Sequence, residues 1–208
     1  MIPINLAFED SLSESVLRVL LRKSKRPYEV ATPYTGGGFG YLRQRARGFN
    51  NAAKSIPFLL LTDLDKANCA PTLIKEWLPV PMHPNLIFRV AVREVESWLL
   101  ADRENFARFL GIAVELMPVK PDTLPDPKSV LITLALKSRN RRLREDIVPR
   151  AGSTSKQGPN YNGRLITFVE GQWDPTAASD GSDSLRRTIE ALASFTPIWA
   201  SEVPLVRP

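Results

Sequence analysis

Histidine and cysteine are nearly absent: His83 and Cys69 are the only examples in 208 residues. A single cysteine excludes an internal disulfide framework and a cysteine-rich zinc site. A single histidine, set between Met82 and Pro84, removes chemistry that needs a histidine pair and leaves a Ser-His-Asp triad only one candidate base. No apolar run approaches the length of a membrane span. The first residues lack a basic region followed by an apolar stretch and a small-residue cleavage site, so no signal peptide is expected. The expectation is a soluble cytoplasmic protein with no membrane partner, whose chemistry rests on carboxylates, hydroxyls and basic side chains.

Positive charge, by contrast, is abundant. The formal net charge of +6 favours a polyanionic partner such as nucleic acid or a nucleotide. The basic residues are clustered: Arg22 to Arg26, then Arg43, Arg45 and Arg47, then Lys137, Arg139, Arg141, Arg142 and Arg144. Each cluster reads as a phosphate-binding surface or as a solvated face. The apolar fraction, 43%, can fill the core of one large domain, or of a domain with a small appendage.

Ile2, Ile4, Leu6 and Phe8 alternate with less apolar residues, the signature of a strand. A helical pattern follows at Leu12, Val16, Leu17, Leu20 and Leu21, with Asp10 or Ser11 as its cap. Residues 28–32 read as a short strand and 41–54 as a helix. Ile56 to Thr62 reads as a strand, its nearly continuous apolar run predicting cover on both faces. Residues 70–78 read as a helix, Leu86 to Val92 as a strand, and Val95, Trp98 and Leu99 as a helical stripe. The first ~100 residues thus alternate strand and helix, the pattern of a mostly parallel α/β sheet. Beyond a proline-rich segment at 118–127, a helix is expected over 127–138, a strand over Leu165 to Val169, and a last helix from Ser182 to about Phe195. The organisation is a core over 1–117 with a more irregular extension over 118–208, or one domain throughout.

Three of these strands end in acid: Glu9 with Asp10, Asp63 with Asp65, and Glu94 with Glu96. Ligands of open parallel sheets lie outside the carboxyl ends of the strands. Converging carboxylates repel unless a cation intervenes, and a hard ion such as Mg²⁺ or Mn²⁺ prefers oxygen ligands. In an extended segment Asp63 and Asp65 share a face while Leu64 points away. If residues 94–96 are helical, only one of Glu94 and Glu96 faces the site, and Glu96 is the favoured member. Such aspartates also cap helices and shape turns. Gly36 to Gly40 form either a phosphate cradle, with Gly38 at its centre, or a flexible turn. The stretch has no Lys-Ser/Thr ending and is not a P-loop. Tyr161 and Trp173 read as core residues ahead of base-stacking ones, and Trp98 as core.

With these residues assembled, the chain resembles a bacterial TOPRIM-like family, domain of unknown function 4276. Its core is similar to the TOPRIM domain of primases, topoisomerases and overcoming-lysogenization-defect nucleases. The family's Glu-Gly-x-Thr-Glu type element appears as Glu9-Asp10-Ser11-Leu12-Ser13-Glu14, with Asp10 in place of glycine. Its strand ending in Asp-x-Asp appears as Leu59 to Asp65, and its most recognisable signature as Glu94-Val95-Glu96-Ser97-Trp98-Leu99-Leu100-Ala101-Asp102. Gly158-Pro159-Asn160-Tyr161 and the closing helix also fit. The resemblance implies a TOPRIM-like, Rossmannoid sheet and Mg²⁺-dependent cleavage of nucleic-acid phosphodiesters. It gives Glu9 the proton-transfer role and Asp63 and Asp65 the metal, with Glu14 and Glu94 as additional acids. Arg43, Arg45, Lys137, Arg139, Arg141 and Arg142 would steer and hold the backbone. Genes of the family often stand beside ATPase genes in operons thought to serve anti-phage defence. The alternative is therefore a non-catalytic partner or regulatory subunit of an ATPase.

Overall fold

The computed structural model describes residues 1–199, so residues 200–208 of the expected extension fall outside the described part. Strands β1 (Ile2–Ala7), β2 (Tyr28–Tyr34), β3 (Phe58–Asp63) and β4 (Leu86–Ala91) form one parallel sheet in the order β2-β1-β3-β4. Helices α1 (Ser11–Lys23), α2 (Phe39–Ala52) and α3 (Ala70–Trp77) make the crossovers. This is the α/β arrangement that the alternating pattern predicts.

The apolar run in β3 is divided by the strand's period of two. Leu59 and Leu61 join one core cluster with α1, while Phe58 and Leu60 join a second with α2 and α3. Both faces of the sheet are covered, which is why the run shows no polar alternation. From β1 the chain moves outward to β2 through α1, and from β3 outward the other way to β4 through α3. Right-handed crossovers in opposite directions place their helices on opposite faces. The reversal creates a topological switch point between β1 and β3, the place where open α/β sheets bind ligands.

Asp10 caps α1, its carboxylate accepting the Ser13 amide at 2.8 Å, and Arg22 and Lys23 close the same helix where its dipole favours cations. Among the described residues seven further α-helices follow: α4 (Val95–Ala101), α5 (Arg103–Leu110), α6 (Pro127–Leu136), α7 (Arg141–Ile147), α8 (Tyr161–Gly171), α9 (Pro175–Ser179) and α10 (Asp183–Ser194). The strand expected over Leu165 to Val169 is instead part of α8. Tyr161, Leu165 and Phe168 recur at helical spacing and are buried on that face, so tertiary packing overrides the β-branched character of Ile166, Thr167 and Val169. One core cluster runs from Ile2 to Phe195, so residues before and after 118–127 share it. Among the described residues no helix is long and apolar enough to cross a membrane.

The loop before α8 is held tightly against α7. The Gly158 amide donates to the Ile147 carbonyl at 2.9 Å, and a Cβ at Gly158 would stand 2.3 Å from the Asp146 carbonyl oxygen. Gly158→Ala should therefore cost about 1–3 kcal/mol, the usual penalty for forcing extra volume into packed structure. Chemical denaturation measures this directly, and an unchanged midpoint would contradict the placement of the loop.

Candidate functional site

Glu9 follows β1 and Asp63 ends β3, so the two acids flank the switch point. They are joined directly: Glu9 Oε1 accepts the Asp63 amide at 3.1 Å and the hydroxyl of buried Thr62 at 2.5 Å. Its other oxygen has no hydrogen-bond partner among the described residues. Burial raises the Glu9 pKa above the usual carboxylate value, and the charges of Asp65 and Asp10 raise it further; the two hydrogen bonds pull the other way.

Asp63 does two things at once. Its Oδ1 accepts the Val95 amide at 3.0 Å and so caps α4, which lacks a cap from its own sequence. Its Oδ2 has no partner among the described residues. Burial pushes its pKa well above the ordinary value, and the surrounding Glu96, Glu9, Asp65 and Glu94 carboxylates add to the rise. Four acids thus act on the charge of a fifth.

Asp65 departs from the extended geometry that its spacing suggests. Its φ of 48° is left-handed, its amide donates to the Arg93 carbonyl, and the residue is exposed. The guanidinium of Arg93 donates to the carbonyls of Asp65 and Ala67, not to a carboxylate, so the acid remains without an ion pair among the described residues. Alternation persists only as far as Leu64, which is buried in the second core cluster.

Glu94 and Glu96 both stay near the site. The one-face rule applies to two helical positions, whereas Glu94 is the extended residue preceding α4, with φ −138° and ψ 161°. Its Oε2 accepts the Lys128 amide at 3.0 Å, and burial followed by the Glu96 charge raises its pKa. Glu96 is buried, and its Oε1 accepts the Tyr161 hydroxyl at 3.0 Å and lies 3.4 Å from Lys128 Nζ. Burial would lower the Lys128 pKa, but Glu96, Glu94 and Asp63 outweigh it and hold the ammonium charged. The Tyr161 phenol is pushed up by burial and then by the Glu96 charge.

Lys128 and Tyr161 are the participants the sequence reading missed. Lys128 carries a signal: it follows Pro127 in the first turn of α6, where a helix dipole disfavours a cation unless an acid compensates. Tyr161 is a core residue as expected, yet its hydroxyl faces the acids. Tyr161→Phe keeps the shape and removes the donor. It should cost about 1.5–3 kcal/mol, the range for hydrogen bonds to charged groups, read as a shift in the urea midpoint.

Other expected residues lie elsewhere. Glu14 is gripped by Arg18 one turn along α1, at 2.7 Å, and among the described residues has no hydrogen bond or ion pair with the cluster. Gly38, with φ 80°, precedes α2, and its carbonyl accepts the Tyr41 and Leu42 amides. Arg43 and Arg45 are exposed on α2, Arg45 lying over the Tyr41 ring at 5.9 Å. Lys137, Arg139, Arg141 and Arg142 are exposed around the α6–α7 junction, with Arg141 paired to Glu145 at 2.7 Å. Nine residues of helical rise put Lys137 about 13 Å from Lys128 along the axis of α6. Trp98 and Trp173 are core residues.

Among the described residues no three His, Cys, Asp or Glu side chains stand together as a ready-made metal group. Mg²⁺ does not demand one, since it keeps several waters and takes one or two carboxylates together with phosphate oxygens. Glu9, Asp63, Glu94 and Glu96 each have one oxygen pinned by the protein and the other without a hydrogen bond among the described residues. Pinned, oxygen-only, mutually repelling ligands fit a hard divalent cation. The chain matches no family model, and no curated protein or solved structure matches it.

Proposed function

We propose that the protein is a divalent-metal-dependent nuclease of TOPRIM type that cleaves nucleic-acid phosphodiesters, with anti-phage defence as its setting. The observation that carries this reading is the acid cluster at the β1/β3 switch point, centred on Asp63. Asp63 and Glu9 would hold the ion, with Asp65 and Glu96 at its margin. When bound there, Mg²⁺ or Mn²⁺ supplies Lewis-acid polarisation of a phosphate and neutralises developing charge. Glu9, with one oxygen anchored on Thr62 and the Asp63 amide, keeps the other oriented for the ion. Lys128 adds a fixed positive charge facing Glu96, Glu94 and Asp63. Labelled DNA and RNA incubated with the protein and Mn²⁺ or Mg²⁺ test the reading: products should require the metal and disappear in EDTA.

One observation favours a second reading. The Lys128 ammonium already neutralises part of the cluster, as suits an inert site in a non-catalytic partner of an ATPase. Under that reading the protein co-purifies with an ATPase, and neither polymer is cut under any metal condition, with or without that ATPase.

A further inference from the structure

Helix α2 contains three arginines and no acid in fourteen residues. Among the described residues Arg43, Arg45 and Arg47 form no ion pair, whereas the α10 arginines are paired with Asp183 and Glu190 and the α8 arginine with Asp146. Arg43 and Arg47 are exposed at i and i+4, on one face of the helix, and exposed Lys54 follows just beyond its C-terminus. That face borders two adjoining clefts of about 560 and 410 Å³, and Arg47 lines both. The first cleft is also lined by the aromatic pair Phe39 and Trp77, whose centroids are 4.8 Å apart, and by the acid Glu76. The second is walled by the segment 80–84, where Val80 and Met82 are exposed.

The far wall is fixed in place. Asn50 donates to the Pro81 carbonyl at 3.1 Å and accepts the His83 amide at 2.7 Å, tying that segment to α2. The near end starts where α2 does, and the chain reaches it from the carboxyl end of β2, the strand beside β1. The Phe8 amide, one residue before Glu9, donates to the Tyr34 carbonyl, and the chain passes from Tyr34 through the glycine turn into α2.

We propose that the groove between α2 and residues 76–84 binds a single strand of nucleic acid leading to the acidic cluster. Charge complementarity selects a polyanion, and a groove that combines cations with aromatic and apolar walls suits unpaired bases, which stack, more than a duplex. The inference rests on the phosphodiester reading for its purpose, but binding is measurable without chemistry.

The test is fluorescence anisotropy with a labelled single-stranded oligonucleotide, as DNA and as RNA, in EDTA across a salt series. The wild-type protein should bind. Arg43→Glu/Arg47→Glu should weaken binding by about tenfold or more and reduce the log–log salt slope by about 1.4, two phosphate contacts' worth for a single strand. Arg108→Glu/Lys120→Glu, also exposed but outside the groove, should change neither. Both variants alter surface residues, and circular dichroism verifies their folds. Wild-type protein that fails to bind, equal loss in both variants, or duplex bound as tightly as single strand would each overturn the groove. Cleavage assays separate the two ideas. Binding that depends on Arg43 and Arg47 without metal-dependent products retains the groove and removes the nuclease. Products made at the same rate by Arg43→Glu/Arg47→Glu retain the nuclease and remove the groove.

Discussion

Asp63→Ala should abolish metal-dependent cleavage, lowering the rate by about three orders of magnitude or more. A divalent ion contributes several kcal/mol of transition-state stabilisation, and about 4 kcal/mol corresponds to 10³-fold. Asp63 is the position to alter because burial and four neighbouring acids converge on it. The alanine variant also removes the cap of α4, which by itself costs about 1 kcal/mol. Asp63→Asn separates the two effects: its amide oxygen can still accept the Val95 amide, yet it carries no charge for the metal. Both variants should be inactive while both remain folded by circular dichroism. Glu14→Ala, which breaks only the surface pair with Arg18, should leave the rate unchanged. Cleavage that survives in the asparagine variant would remove Asp63 from the chemistry.

The same asparagine variant should be more stable than wild type when no divalent ion is present, by about 1–2 kcal/mol at neutral pH, the usual gain when a strained functional group is relieved. The folded-state pKa values of Glu9, Asp63 and Glu94 lie above their ordinary values of 4.5, 3.8 and 4.5. Stability linked to such groups is complete below the ordinary values and is lost as pH rises through the folded ones. Metal-free wild type should therefore lose stability relative to Asp63→Asn from about pH 4 upward, so that the gap widens with pH. Asp126 and Asp183 have lowered pKa values and act with the opposite sign, but they are common to both proteins and cancel in the difference. Adding Mg²⁺ to a hundred times its dissociation constant should return about 2.7 kcal/mol to wild type and little to the variant. Thermal melts across pH, with and without Mg²⁺, read all of this. A variant that is less stable than wild type in EDTA at pH 7 would contradict the picture of a repelling cluster.

The sheet was legible from sequence because its strands carry strong, simple patterns. Alternation marks β1, and the two-sided burial of β3 leaves an unbroken apolar run ending at Asp63. The acids at the strand ends were legible for the same reason, since a parallel sheet brings all its carboxyl ends to one edge. The geometry at those ends was not. Asp65 turns into a left-handed conformation where extension was assumed, and Glu94 stays extended, so it is not bound by the helical spacing that would have turned one glutamate away. The distant partners were hidden because they come from the extension. Lys128 lies more than thirty positions beyond Glu94, and Tyr161 as far again, and only packing of α6 and α8 brings them to Glu96. Helix α8 itself was misread because three of the five residues Leu165 to Val169 are β-branched and favour a strand in isolation. Extending the window back to Tyr161 restores the helical period.

The central claim is that Glu9 and Asp63 share one hard cation across the switch point. Anomalous scattering from crystals grown with Mn²⁺ tests it most directly. A peak in contact with the unpinned oxygens of Glu9 and Asp63 is the predicted result. An ordered Mn²⁺ elsewhere, with both carboxylates left as they stand and Lys128 still on Glu96, would contradict it.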